Sequence, residues 1–439
     1  MRNQSDNTSL PPSRRTFLKT TGVVAAGWSW AAGSRARAAK LETLAIDGGP
    51  RAVRIRGSKA WRWPLYGDLE EEAMRRVLRS PSYAPLDTLE RDWKHHFGVD
   101  FCRAHCNGTG ALSAMFFALD LPPGSEIMVP SYTFFATIAP MRMFGLVPVF
   151  VDINPQTLNF DLEDARRRLT KNTKAVLPVH WIGLPCDMDQ ICDWADEKEL
   201  IVVEDACHAH GCKLGDRYMG SWGRMGVFSF QMTKPLPAIE GGMGVYQQRD
   251  DCDRATAFGH YKKCFGKYAK YEGSGMATKL RMHPLAAELA RLQLVDLEPR
   301  NAAGVRQAAA LNDRLIQLPG LLKQTSGRTD IQRLHYAWNM LFIDEKKAGM
   351  SREAAVRALQ AEGVETSTLA YPLQHEMPLY HEARWWHHKP IIPELPGSKK
   401  ANAWSLPLPY FTSEQPELCD QYVKAFEKVW AHRDKLGKV

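Results

Sequence analysis

The sequence has neither a strong excess of one charge nor a long uninterrupted hydrophobic run. Its 439 residues carry 57 Lys and Arg against 49 Asp and Glu, a net charge of +8. Because the basic residues are scattered without interleaved aromatic residues, we predict no nucleic-acid partner. A mildly basic surface still favours anionic ligands. The composition is otherwise that of an ordinary globular protein, and the length predicts two domains.

The sequence has few cysteines and an odd number of them, which argues against a disulfide framework. With nine cysteines, at least one thiol is unpaired or all of them are reduced. The segment Cys207–Cys212 (CHAHGC) gathers thiol and imidazole groups that could ligate a metal. Alternate residues at the end of a strand point to opposite faces, however, and could not converge on one ion. We therefore predict no metal site.

The first forty residues are interpreted as a targeting segment. Ser13–Lys19 (SRRTFLK) is typical of a twin-arginine export motif, and an uncharged apolar run follows from Thr20 to Gly33. That run is too short and too interrupted for a membrane-spanning helix. Because Ala36–Ala38 fits a cleavage site, we expect residues 1–38 to be removed as a signal peptide. The twin-arginine translocase would then export the protein to the periplasm or beyond the cell; an uncleaved membrane anchor is the alternative.

Short apolar runs alternate with helical stretches through the middle of the chain. The candidate strands are Glu126–Val129, Val147–Val151, Ala175–Val179, Leu200–Val203, Val227–Phe230 and Gly242–Tyr246. Asp161 and Asp187 precede two of the helices, where a carboxylate can accept from free amides of the first turn. The alternation predicts an α/β fold with a parallel sheet buried on both faces. We assign residues 39–297 to this large domain, with an N-terminal arm, and residues 298–439 to a smaller C-terminal domain.

A single lysine, Lys234, follows the apolar run that begins at Gly226. Burial disfavours an ammonium group, so a lysine directly after a buried strand tends toward the neutral amine. Such an amine is a nucleophile that can form a Schiff base. A lysine whose charged end reaches solvent past the strand is the alternative interpretation.

Three other segments place reactive groups at the edge of the sheet where ligands of α/β proteins bind. Cys106–Gly110 (CNGTG) opens a helix whose free amides and dipole suit a phosphate, although a plain turn has the same sequence pattern. Ser131–Phe135 (SYTFF) could lay an aromatic ring over a planar ligand or pack in the core. Asp205 follows a buried strand and could pair with the protonated ring nitrogen of pyridoxal phosphate (PLP).

In this order the segments resemble the DegT/DnrJ/StrS type of sugar aminotransferase, a family of fold type I PLP-dependent enzymes. The matching segments are NGTGAL, VPSYTFFAT, PVFVDIN, PVHWIGLPCDMD, VEDACHAHG, FSFQMTK and EGG. The resemblance extends from Leu44 to Pro409 and is weakest after Ala310. It implies a large domain with a mixed, mostly parallel sheet, a smaller C-terminal α/β domain, and PLP as the cofactor.

The resemblance also implies roles for individual residues. Lys234 matches the lysine that binds the cofactor covalently, and Asp205 matches the partner of the pyridine nitrogen. Phe134 matches the ring that stacks on the cofactor. His208 lies where the family has Gln or His near the pyridoxal hydroxyl.

The implied phosphate contacts include one departure from the family pattern. Gly108, Thr109 and Ser229 match residues that contact the phosphate of the cofactor. Family members commonly have an Asn that reaches the phosphate bound by the neighbouring subunit, whereas this chain has Lys279 at that place. A cation could make the same contact, or the contact could be lost. If Lys279 makes it, the active unit is a homodimer with shared active sites.

The activity implied by the resemblance is transfer of an amino group from glutamate or glutamine to a keto sugar or keto cyclitol. Lys234 would move protons as general acid and base, and His180 and His375 are weaker candidates for substrate contacts. Two alternatives remain. Related PLP-dependent sugar dehydratases have His in place of the lysine, so Lys234 argues against that activity. The other alternative is a non-catalytic exported sugar-binding protein on the same fold.

Overall fold

The structure, a computed structural model, describes residues 41–55, 62–260, 262–274 and 276–437, so the predicted signal peptide lies outside the described residues. The strands are β1 (Phe101–His105), β2 (Glu126–Pro130), β3 (Val147–Val151), β4 (Thr173–Val176), β5 (Ile201–Asp205), β6 (Lys213–Leu214), β7 (Arg217–Tyr218), β8 (Met225–Ser229), β9 (Gly242–Tyr246), β10 (Leu321–Lys323), β11 (Ile331–Gln332), β12 (Trp338–Ile343) and β13 (Ser405–Pro409). The helices are α1 (Asp68–Arg79), α2 (Ala84–Phe97), α3 (Gly108–Leu119), α4 (Leu162–Arg168), α5 (Met188–Glu197), α6 (Arg249–Gly259), α7 (Pro284–Val295), α8 (Leu297–Leu315), α9 (Glu345–Ala348), α10 (Arg352–Ala361), α11 (Pro378–His381), α12 (Pro396–Trp404), α13 (Pro416–Ala431) and α14 (Arg433–Leu436).

The main sheet has seven strands in the order β1-β9-β8-β5-β4-β2-β3. Strands β8, β5, β4, β2 and β3 are parallel, whereas β9 is antiparallel to both β8 and β1. Each of the six candidate strands of the sequence belongs to this sheet. The predicted α/β fold with a mixed, mostly parallel sheet is thus confirmed.

The apolar pattern does not predict β1, because this edge strand carries two buried polar side chains. Arg103 Nη1 donates to both carboxylate oxygens of Glu90 at 2.8 and 3.0 Å, and its Nε donates to Thr256 Oγ1 at 3.0 Å. His105 is fully buried, with Nε2 3.4 Å from the Tyr246 hydroxyl. Buried charges are tolerated when they are paired and hydrogen-bonded, so a strand with such residues does not stand out in the hydrophobic pattern.

A second sheet, β10-β12-β13, lies in the C-terminal part of the chain and is antiparallel. Its core includes α10, α13 and three residues of the N-terminal arm, Leu44, Ala52 and Val53. The arm, which we assign to the large domain from sequence, thus packs on C-terminal elements. The predicted domain boundary at residue 298 falls at the start of α8 and remains a prediction. Within the described ranges, no helix combines the length and hydrophobicity that a membrane span requires.

Hydrogen bonds to Glu362 connect the N-terminal arm to the C-terminal elements. Its fully buried carboxylate accepts from the amides of Ala45 at 2.8 Å and Ala52 at 3.0 Å. It also accepts from Lys428 Nζ at 2.9 Å, which in turn donates to the carbonyl of Pro50 at 2.7 Å. One carboxylate therefore satisfies two amides of the arm and a buried ammonium of α13.

We predict that Glu362→Ala lowers the free energy of unfolding by about 3–5 kcal/mol, because it leaves a buried ammonium and two amides without an acceptor. Asp313→Ala is the control, since Asp313 pairs with Lys323 at 2.6 Å on the exposed surface and its loss should cost less than about 1 kcal/mol. Urea unfolding measures both. Equal losses for the two variants would contradict the role of Glu362.

Candidate active site

A cavity of about 470 Å³ opens where the parallel strands of the main sheet end. Its walls contain seven of the eight residues predicted to contact a cofactor: Gly108, Thr109, Phe134, Asp205, His208, Ser229 and Lys234. These residues follow β1, β2, β5 and β8 or end them. The carboxyl ends of parallel strands meet at one edge of a sheet, which is why residues so far apart in sequence converge.

The N-terminus of α3 forms one end of the cavity. Asn107 caps the helix, with its side-chain oxygen accepting from the Gly110 amide at 2.8 Å. A Cβ at Gly108 would lie 2.8 Å from Ser229 Cβ, and a Cβ at Gly242 would lie 2.6 Å from the Asn107 backbone. The glycines therefore allow the helix N-terminus to approach β8 and β9 closely. Free amides of the first turn and the Ser229 hydroxyl make this end a donor set for an anion such as phosphate.

Asp205 presents an oriented carboxylate to the cavity. It is the last residue of β5 and is buried. One oxygen accepts from Thr137 Oγ1 at 2.7 Å and the other from the Cys207 amide at 3.1 Å. The Thr137 hydroxyl also lies 2.9 Å from Thr133 Oγ1. Thr137 ends the matching segment VPSYTFFAT, but sequence reasoning assigned it no role, because nothing in the segment shows that its hydroxyl turns toward Asp205.

Lys234 lies in the loop after β8 and is half-buried rather than enclosed, although its place after a buried strand predicts a desolvated side chain. Its Nζ is 4.5 Å from the centroid of the Tyr336 ring, a cation–π distance. The Tyr336 hydroxyl lies 2.9 Å from Thr233 Oγ1, and Trp63 Nε1 donates to the Lys234 carbonyl at 3.2 Å. Side chains from two distant segments therefore contact the lysine and its loop.

His208 is buried beside Lys234, and its protonation state follows from that position. Burial, and then the charge of Lys234, lower the pKa of His208 well below its usual range, so the ring is neutral at pH 7. Its Nδ1 accepts from the Ile182 amide at 3.4 Å, which assigns the proton to Nε2. The ring centroid is 4.3 Å from that of Tyr336 and 5.0 Å from that of Trp181.

Phe134 exposes an aromatic face in the cavity wall. The side chain is 53% exposed, and its ring centroid is 4.5 Å from that of the equally exposed Phe135. Two adjacent exposed rings are uncommon on a protein surface without a ligand or a partner. Such a face can cover a planar ligand.

His180 lies outside the cavity wall and is fully buried. Its Nδ1 accepts from the Cys186 amide at 3.1 Å, so Nε2 donates to Glu204 at 3.0 Å. The Glu204 carboxylate also accepts from the amides of Gly220 and Gly223, each at 2.7 Å. These contacts hold the loop before β8 in place and do not bring His180 to the cavity.

His375 and Lys279 also lie outside this cavity. His375 is buried, with Nδ1 2.6 Å from the hydroxyl of Ser131. Lys279 is exposed and lines a separate cavity of about 320 Å³, together with Tyr83 and Arg281. Within one subunit, Lys279 therefore does not join the other predicted phosphate contacts.

The cysteine and histidine content of the Cys207–Cys212 segment does not make a metal centre in the described part of the chain. No group of three or more His, Cys, Asp or Glu side chains that could hold a metal ion occurs there. All nine cysteines fall in the described ranges as free thiols.

The cavity matches the parts of PLP one by one. The α3 amides and Ser229 suit its phosphate, the Asp205 carboxylate suits a protonated ring nitrogen, and the exposed face of Phe134 suits the planar ring. His208 Nε2–H can donate to an oxygen on the ring, and Lys234 offers an amine to its aldehyde carbon. The fold and this donor set define a PLP-dependent aminotransferase.

Comparison with known proteins gives the family. The model of the DegT/DnrJ/EryC1/StrS aminotransferase family matches residues 66–427, and the chain belongs to that family. It is 30% identical to the spore coat polysaccharide biosynthesis protein SpsC of Bacillus subtilis (strain 168), over 83% of this chain and 95% of that protein. It is 28% identical to GDP-perosamine synthase of Vibrio cholerae, over 77% and 88%. The crystal structure of DesI with its TDP-sugar product superposes with a TM-score of 0.73 at 29% identity, over 91% of this chain and 98% of that one.

These findings confirm three expectations from the sequence. They are membership of the family, the enzyme class of aminotransferase, and PLP as the cofactor. The roles of the individual site residues remain predictions that the geometry of the cavity supports.

Proposed function

We propose that this enzyme transfers an amino group from glutamate or glutamine to the carbonyl carbon of a keto sugar or keto cyclitol. The observation that carries the proposal is one cavity that holds an amine, Lys234, and an oriented carboxylate, Asp205, beside a cradle for a phosphate. The names of the relatives support a sugar acceptor, because one is a perosamine synthase and another was solved with a TDP-sugar product.

Asp205 and Lys234 have different roles in the proposed reaction. PLP, when bound, supplies a carbonyl that the amino donor can attack and a ring that delocalises negative charge. Asp205, held by Thr137, keeps a proton on the ring nitrogen. Lys234 Nζ would take a proton from the α-carbon of the donor and deliver it to the former aldehyde carbon of the cofactor, as general base and then general acid. Because donor and acceptor occupy the same cavity in turn, we expect ping-pong kinetics.

Two alternatives from the sequence are weaker. Related sugar dehydratases resemble this chain with His in place of the lysine, so Lys234 favours amine transfer over removal of a hydroxyl. A non-catalytic sugar-binding protein does not require the amine, the carboxylate and the anion cradle together. Mass spectrometry of the sugar product separates these activities, because only amine transfer introduces nitrogen.

We predict that Lys234→Ala abolishes turnover and the visible absorption of covalently bound cofactor while the protein stays folded. The reason is that the change removes a nucleophile whose side chain is only half-buried. Lys213→Ala is a matched control, because Lys213 Nζ also lies over a tyrosine ring, at 4.2 Å from that of Tyr218, but outside the cavity. Retained turnover in Lys234→Ala would contradict the mechanism.

We also propose that the active unit is a homodimer in which Lys279 contacts the phosphate of the partner's cofactor. Lys279→Ala should then weaken PLP binding about tenfold to a hundredfold, because a charge-assisted contact to phosphate is worth about 1.5–3 kcal/mol. Lys346→Ala, an exposed change in α9, should leave PLP binding unchanged. Cofactor titration measures both, and a fully active monomer by light scattering would refute the shared site.

Finally, we propose that the enzyme is exported by the twin-arginine route with PLP already bound, because that route accepts folded cargo. Replacing Arg14 and Arg15 by Lys keeps the charge but should leave a folded, PLP-loaded, active precursor in the cytoplasm. Cell fractionation with a cofactor assay measures this. Export of the double variant, or of wild-type protein without PLP, would show that this account is wrong.

A further inference from the structure

The aromatic ring of Tyr336 lies against the amine of Lys234. The Nζ atom is 4.5 Å from the centroid of this ring, within the range of a cation–π contact. Among the ion pairs of the described residues, none within 4.0 Å includes Lys234. The carboxylates of Asp205 and Glu240 also line the cavity, but neither of them forms such a pair with the lysine. The ring therefore occupies a place beside the amine that a carboxylate could have filled.

A strained turn sets the position of this ring. The Trp338 amide donates to the Tyr336 carbonyl at 2.6 Å, which closes a three-residue turn around Ala337. Ala337 has a φ of 61°, a conformation that residues other than glycine rarely adopt. Strained backbone persists only where the surrounding structure holds it, and it is concentrated at functional sites. The turn directly precedes β12, so the ring leaves the end of that strand and enters the cavity wall.

The hydroxyl of Tyr336 is bonded to the loop that carries the lysine. It lies 2.9 Å from Thr233 Oγ1, and Thr233 Oγ1 donates its own proton to Gln231 Oε1 at 2.6 Å. Because a hydroxyl has one proton to donate, Tyr336 is the donor to Thr233. The ring of His208, whose centroid is 4.3 Å from that of Tyr336, adds no competing charge, because burial lowers its pKa and leaves it neutral. The cation at this ring is therefore that of Lys234.

An aromatic face can hold a charged amine and still leave its protons available. In the proposed reaction Lys234 accepts a proton, becomes an ammonium and then passes the proton on. A carboxylate would accept a strong hydrogen bond from that ammonium, whereas a ring attracts the charge and leaves the N–H groups free to donate. Tyr336 also contacts two apolar clusters of the core. Packing alone, however, would need only the volume of the side chain, which leucine also supplies.

We propose that Tyr336 is a positioning residue, whose ring holds the Lys234 amine in the cavity when that amine is not bonded to the cofactor. The inference rests on the proposed function for the role of Lys234. The ring acts through the lysine and requires no contact with a substrate. Loss of the ring should therefore release the amine without removing it, whereas loss of the hydroxyl alone should leave the ring face in place.

The first test is acetylation of lysines in the full-length protein after PLP has been removed with hydroxylamine, followed residue by residue by mass spectrometry. Tyr336→Leu should raise the rate at Lys234 about 2- to 30-fold, the range that corresponds to a cation–π contact. The reason is that the ring no longer covers the amine or attracts its charge. Tyr336→Phe keeps the ring, so its rate should stay within about twofold of that of the wild type.

Lys213 supplies a matched control in the same digest. Its Nζ lies 4.2 Å from the centroid of the Tyr218 ring, outside the cavity. The acetylation rate of Lys213 should not change in either Tyr336 variant. Tyr218→Leu should give the reverse pattern, with faster acetylation at Lys213 and an unchanged rate at Lys234.

The second test connects this contact to the reaction. The visible spectrum of the holoenzyme is followed after rapid mixing with glutamate or glutamine over a range of concentrations. Tyr336→Leu should lower the maximal rate of the spectral change about 2- to 30-fold. The half-saturating concentration should not change, because the ring acts on the amine and not on the donor. Tyr336→Phe should restore the maximal rate, whereas a purely structural role would not separate these two quantities.

Three results would overturn the proposal. They are an unchanged rate of Lys234 acetylation in Tyr336→Leu, an equal rise of that rate in Tyr336→Phe, and an unchanged maximal rate of the spectral change in Tyr336→Leu. If Tyr336→Leu does not fold, Tyr336→Met takes its place with the same expectations. The expected acetylation pattern in a protein whose spectrum neither donor shifts would refute the proposed function and leave the contact between ring and amine standing.

Discussion

The parallel pairing of β5 with β8 is the constraint on which the active site depends. In this register Asp205 lies opposite Val227, so the carboxylate that ends β5 and the loop that leaves β8 emerge at the same edge. Glu204 stabilises the register from inside, because its buried carboxylate binds His180 and the amides of Gly220 and Gly223. A shift of one residue would turn Glu204 toward the cavity and Asp205 into the core.

The sequence predicts the strands and the convergence of the site for a simple physical reason. Strands buried on both faces are continuous apolar runs, and polar residues that end such runs must meet where parallel strands end. Asp205, Ser229 and Lys234 each follow this rule, as does the glycine-containing start of α3 at Gly108. These residues could be placed together without knowledge of any side-chain contact.

Contacts between distant segments could not be predicted in this way. Tyr336 reaches Lys234 from the C-terminal part of the chain, and Glu362 holds the N-terminal arm through hydrogen bonds that leave no periodic pattern. His180 lies in a segment beside the site, but its ring faces Glu204, and which way a residue after a strand turns is decided by packing. The hydrophobic pattern does not predict strand β1, because the strand contains the charged residue Arg103. This charge is buried in an ion pair with Glu90.

The cavity and the loop of Lys234 combine an amine with the free amides of α3 and the Ser229 hydroxyl, a donor set suited to an anionic ligand. This agrees with a cofactor that carries a phosphate and with relatives named for sugar nucleotides. The central claim is that Lys234 and PLP exchange an amino group with a donor. The visible absorption spectrum of the purified protein, recorded before and after addition of glutamate or glutamine, tests it most directly. The account predicts a cofactor band that shifts on addition of the donor and returns when a keto sugar accepts the amine. A protein without such a band after purification with PLP, or a band that neither donor shifts, would contradict it.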